Sequence, residues 1–131
     1  MKIEFAATLP VADALVIPVQ KNGLDTAIGG RTGQEVLAGA AAAARFEGEA
    51  GSIAEAFVGA DGAVNRILLL GIADGNELDW ERAGGAVTAR LLTNAISAAI
   101  DLGAVQPSPA AVGRFAGALA QRAWRIDTYR T

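Results

Sequence analysis

The chain contains no cysteine and no histidine. Without cysteine there is no disulfide framework and no thiolate nucleophile, and the redox compartment leaves no mark. Without histidine, Ser-His-Asp triads and imidazole metal sites are excluded together. Aromatic residues are scarce, at 5% of 131 residues, so alanine and aliphatic side chains must fill the core. Basic residues are in deficit too, and the net charge of −3 argues against nucleic acid as a partner, since that needs a basic stripe. No apolar run approaches the length of a membrane span. Met1-Lys2-Ile3-Glu4-Phe5 places an acid where a signal peptide would be apolar, so the expected location is cytoplasmic.

What is present is hydrophobic pattern. At 52% hydrophobic residues, a chain of this length has material for one packed domain, taken as 1–131. Arg66-Ile67-Leu68-Leu69-Leu70-Gly71-Ile72 reads as a strand covered on both faces, and the rest is organised around it. Ala73-Asp74-Gly75-Asn76 makes a turn. A helix is then expected from about Asp79 as N-cap, with Trp80, Ala83, Gly84, Val87 and Leu91 on its apolar stripe.

Upstream, Ile3 and Phe5 alternate with charged residues as in a half-exposed strand, which Leu9-Pro10 breaks. Ala14 to Ile17 reads as an inner strand with Pro18 at its end or at a bulge. Asn22-Gly23 predicts a turn, and Leu24 to Ile28 one helical turn. Thr32 to Glu35 has capping-box spacing, before a helix with Val36, Leu37, Ala40, Ala41 and Ala44 on one face and Gly48 in the left-handed position beyond its end. Ser52 to Val58 is expected to pair with the central strand as a hairpin through Asp61-Gly62, Glu55 marking a sheet edge or solvated rim. Ser97 to Leu102 is a further strand. Ser108 and Pro109 suit the cap and first position of a last helix carrying Val112, Phe115, Ala116, Leu119 and Ala123. The fold class is α/β, with a mixed central sheet of about five or six strands flanked by helices.

Three features invite a chemical reading. Gly71-Ile72-Ala73-Asp74-Gly75 joins a strand to a helix, where backbone N–H groups can cradle a phosphate, but the spacing matches neither the dinucleotide nor the P-loop fingerprint. Asp74, Glu77, Asp79 and Glu81 resemble a cation cluster but lack the calcium-loop pattern. Capping and the helix dipole account for Asp79 and Glu81. Gly84-Gly85 inside a helix costs on the order of 1 kcal/mol per glycine. Close approach of the helix backbone to the sheet is the plain reason for that pair, a ligand crossing the surface the livelier one. The tail from Trp124 to Thr131 reads as a solvated terminus, or as a docking segment.

That tail carries a resemblance. Arg125-Ile126-Asp127-Thr128-Tyr129-Arg130-Thr131 is similar to the segment closing the N-terminal domain of leucyl aminopeptidases, the cytosol aminopeptidase family. Arg45-Phe46-Glu47-Gly48-Glu49-Ala50-Gly51, Arg66 to Gly71 and Arg82-Ala83-Gly84-Gly85 resemble family segments in the same order. The resemblance implies a macro-domain-like three-layer sandwich and a non-catalytic, structural role. In the family this domain precedes a catalytic domain whose carboxylates and lysine hold two divalent metals, zinc, manganese or magnesium, that activate water against the N-terminal peptide bond. The signature Asn-Thr-Asp-Ala-Glu-Gly-Arg does not occur here, so the resemblance assigns this chain no catalytic, cofactor or metal residue. It implies as partners the catalytic domain and the other subunits of a hexamer, with Trp124, Tyr129 and Arg130 as candidate contacts. The alternative is a stand-alone macro-like module binding ADP-ribose or a related nucleotide through Gly71–Gly75.

Overall fold

The computed structural model describes residues 2–6, 14–60, 63–91, 97–101, 105, 107–119 and 125–129. In chain order the elements are β1 (Lys2–Ala6), β2 (Ala14–Gln20), α1 (Leu24–Ile28), α2 (Gln34–Ala43), β3 (Ile53–Ala60), β4 (Ala63–Ala73), α3 (Glu77–Leu91), β5 (Ser97–Asp101), α4 (Pro109–Leu119) and β6 (Arg125–Tyr129). The strands form one sheet in the order β1-β6-β5-β2-β4-β3. Only β3 runs antiparallel to its neighbour, from Ile53 opposite Leu70 to Ala60 opposite Ala63. Of the sheet's side chains in the core, those described come from β2, β3, β4 and β5, while β1 and β6 are described through their backbone.

β4 is covered on both faces, as its unbroken apolar run requires. Leu68, Leu70 and Ile72 join Val16, Ile100, Trp80, Ala83, Val87 and Phe115 in a cluster beneath α3 and α4. Ile67 and Leu69 join Ile17, Val19, Ala27, Ile28, Leu37 and Ala41 beneath α1 and α2. Helices therefore lie on both sides of the sheet. Trp80 and Phe115 meet edge to face, centroids 5.5 Å apart, and lock α3 to α4. Pro18 lies inside β2, where pairing with β5 has already ended at Val16 and a register shift against β4 follows at Val19/Gln20. No ladder bond to β5 is asked of it.

Several local expectations are corrected. The Thr32–Glu35 capping box does not form. α2 starts at Gln34 from Gly33, which has φ 79° and no side-chain cap. A Cβ at Gly33 would run into the Val58 side chain, so packing on β3 sets the helix start. The buried face of α2 is narrower than expected: Leu37 and Ala41 are buried, whereas Val36 is 50% exposed and Ala44 is exposed. Arg45 (φ 54°), not Gly48, ends the helix. The N–H of Phe46 donates to Ala41 O (2.8 Å) and that of Arg45 to Ala42 O (3.1 Å), the Schellman pattern. Gly48 is left-handed for another reason: a Cβ there would lie 2.6 Å from the Gln20 carbonyl oxygen.

The tail is also corrected. Arg125–Tyr129 is not a solvated end but β6, parallel to both β1 and β5. The Leu9-Pro10 break, the Asp61-Gly62 turn residues and Leu102 lie outside the described residues, although Ala60 faces Ala63 as the hairpin requires.

Candidate functional site

The loop after β4 was the first candidate for chemistry, and its geometry follows from Gly71. A Cβ there would strike the Glu49 carbonyl oxygen and the Ser52 hydroxyl, so the segment 48–52 lies directly across it. The Gly71 N–H donates to Ser52 O (2.8 Å), Ala73 N–H to Gly48 O (2.8 Å) and Gly75 N–H to Ile72 O (2.7 Å). The N–H groups of Asp74 and Asn76 both donate to Asp79 Oδ2, at 3.2 and 3.3 Å. Every one of these five donors is satisfied within the chain. A fixed carboxylate stands where a phosphate would sit at the helix N-terminus.

Asp79 is therefore not the N-cap. Asn76 is, its Oδ1 accepting the Asp79 N–H at 2.9 Å, and α3 begins at Glu77. The two side chains form a reciprocal cap, each accepting from the other's backbone. Glu77 and Glu81 share one partner. Arg114 on α4 lies 3.6 Å from Glu77 Oε2 and 3.3 Å from Glu81 Oε1, in half-exposed pairs. Among the described residues, no three acids converge on a cation position.

Gly84 is a contact point, but with α4 rather than with the sheet. A Cβ there would come within 2.9 Å of both Ala118 Cβ and the Phe115 carbonyl oxygen. Gly85 faces open space.

A buried ion pair escaped the sequence reading. Asp101, the last residue of β5, has a fully buried side chain and accepts a hydrogen bond from Arg31, whose own side chain is 21% exposed. Arg31 Nε also donates to Ala27 O at 2.7 Å, which fixes the guanidinium over the end of α1. Ile100 faces α3 and α4, so its neighbour Asp101 faces the α1/α2 side. β2 leads to α1 on one face of the sheet, and the adjacent β5 leads to α4 on the other. Such a switch point at the carboxyl ends of parallel strands is where open α/β sheets hold ligands. Here the Arg31–Asp101 pair occupies it. The only sequence signal was an acid ending an apolar strand. Its partner, 70 positions away, had none.

A second charge cluster fixes the sheet edge. Glu55 on β3 pairs with Arg66 on β4, and its Oε1 lies 3.7 Å from Arg90 Nη1 on α3. Of the candidate docking residues, Trp124 and Arg130 lie outside the described residues. Tyr129 ends β6, its backbone in register with Ala6 and Asp101.

Among the described residues no helix is long and apolar enough to cross a membrane. The family model described as cytosol aminopeptidase family, N-terminal domain, matches residues 16–131. Similar curated proteins include probable cytosol aminopeptidases of Rhizobium johnstonii (30% identical over all of this chain and 28% of that protein) and Rhizobium rhizogenes (34% identical, 99% and 27%). A third, from Rhizobium leguminosarum bv. trifolii, is 29% identical over 99% of this chain and 27% of its own length. The chain thus spans little more than a quarter of the curated relatives it matches. With a match running from β2 through β6, the chain belongs to the cytosol aminopeptidase family, as its N-terminal domain.

Proposed function

We propose that this chain is the non-catalytic N-terminal domain of a leucyl-aminopeptidase-like metallopeptidase, a macro-like scaffold that packs against the catalytic domain and helps the subunits assemble, as a hexamer in the family. The parent removes N-terminal residues from peptides in the cytoplasm by two-metal hydrolysis. The metals belong to the catalytic domain and none to this one. The observation that carries the reading is the match of the family's N-terminal domain to residues 16–131, together with relatives more than three times as long. Helices on both faces of a mixed sheet support the macro-like description.

The test is association. This chain, expressed with the remaining length of the Rhizobium johnstonii relative on a separate tag, is expected to co-purify with it. Separate elution at micromolar concentrations of both would count against a packing role.

A further inference from the structure

We infer that the β3 edge is a self-complementary interface, through which two copies of this chain pair about a two-fold axis near Phe57. β3 ends the sheet, and among the described residues it pairs only with β4. Its sequence, IAEAFVGA, contains no lysine and no proline, the usual guards against edge-to-edge pairing. Its one charge, Glu55, points onto the α3 face, where Arg66 and Arg90 neutralise it. The edge therefore presents little net charge to a copy of itself, provided that the two Glu55 carboxylates are not set directly opposite each other.

Apolar side chains are exposed on both flanks of this edge. On the α3 face, Phe57 is 62% exposed and Val64 72%. Phe57 faces Arg66 and Val64 faces Gly59, so the two are diagonal neighbours on one surface. On the other face lies α2, packed over β3, whose surface carries no polar side chain from Val36 to Ala44. Val36, Ala38, Gly39, Ala42 and Ala43 are exposed along it, and open space surrounds Gly39. Small residues there let two α2 helices approach closely when the edges meet.

Charge selects the register. A two-fold axis at Glu55 sets two carboxylates opposite each other, which is unfavourable. An axis at Phe57 sets Phe57 against Phe57 of the copy, and Glu55 against Gly59, giving an aromatic pair in place of a like-charge pair. Eight residues of strand span about 26 Å, and with a depth of about 20 Å from the outer side of α2 across the sheet edge to Phe57 the strip comes to roughly 500 Å² per copy. The total of about 1,000 Å² is at the lower limit for a specific interface, so the dimer is weak and concentration-dependent.

This inference stands on the chain's own edge and not on the family's activity, so it can fail while the proposed function survives. Sedimentation of the chain between about 5 and 500 µM is expected to move from 13.3 kDa toward twice that mass. Phe57→Lys and Gly39→Glu, both at exposed positions, are each expected to raise the dissociation constant at least tenfold with unchanged circular dichroism. Leu78→Lys, also at an exposed position but at the opposite end of α3 from the Arg90 that reaches Glu55, leaves it unchanged. A single 13.3 kDa species throughout overturns the inference, as does a dimer that both variants leave intact. So does a monomer whose β3 amides become protected from exchange only when the rest of a family protein is added, which assigns the edge to that partner.

Discussion

The carboxylate of Asp101 and the guanidinium of Arg31 meet in the interior, joining the end of β5 to the loop between α1 and α2. Removing Arg31 takes a charged partner away from a carboxylate that is fully buried. Replacing both with apolar groups removes the desolvation cost as well. Arg31→Ala is expected to lower stability by about 2–4 kcal/mol in urea unfolding. The double variant Arg31→Met/Asp101→Leu should recover most of that loss, and a double variant as unstable as the single would show that the pair is not the source.

The reciprocal cap of α3 gives a second prediction. Asn76→Ala removes the acceptor for the Asp79 N–H and is expected to cost about 1 kcal/mol. Asp79→Ala leaves the N–H groups of Asp74 and Asn76 without their acceptor and should cost about as much. Amide exchange should accelerate in the first turn of α3 in both variants and stay unchanged in α4.

Adjacent glycines in α3 are expected to respond in opposite directions. Gly84→Ala pushes a methyl group into Ala118 and the Phe115 carbonyl and should destabilise by about 1–3 kcal/mol. Gly85→Ala adds a methyl group in open space and should stabilise by about 1 kcal/mol through helix propensity. Thermal unfolding of the pair decides this without reference to any ligand.

Arg45 holds the left-handed position of the α2 Schellman motif, where a Cβ is unfavourable. Arg45→Gly is expected to stabilise the domain by about 0.5–1 kcal/mol in chemical unfolding.

The elements that could be read from residues were those whose signal is local. β4 was legible because a strand buried on both faces has no polar positions, and α4 because Ser108 and Pro109 mark its start, Ser108 Oγ accepting the Ala111 N–H at 3.1 Å. α1 followed from the Asn22-Gly23 turn before it. The misses were set by contacts distant in sequence. Gly33 displaces the Thr32 cap because Val58 comes from another strand. β6 lies hidden in a polar segment because its pairing partners, β1 and β5, are far apart in the chain. Asn76 outcompetes Asp79 as cap because the loop bends so that Asp79 accepts from two N–H groups at once. The Arg31–Asp101 pair combines both difficulties, since neither residue has a local pattern.

The central claim is that this domain supplies a scaffold while the peptide-bond chemistry resides elsewhere in the family's proteins. The most direct measurement is release of p-nitroaniline from leucine p-nitroanilide with added manganese, zinc or magnesium. It compares this chain alone with a chimera in which the chain replaces the matching N-terminal part of the Rhizobium johnstonii relative. The account predicts no release above blank by the chain alone and metal-dependent release by the chimera. Metal-dependent turnover by the isolated chain, or an inert chimera that has folded and bound metal, would contradict it.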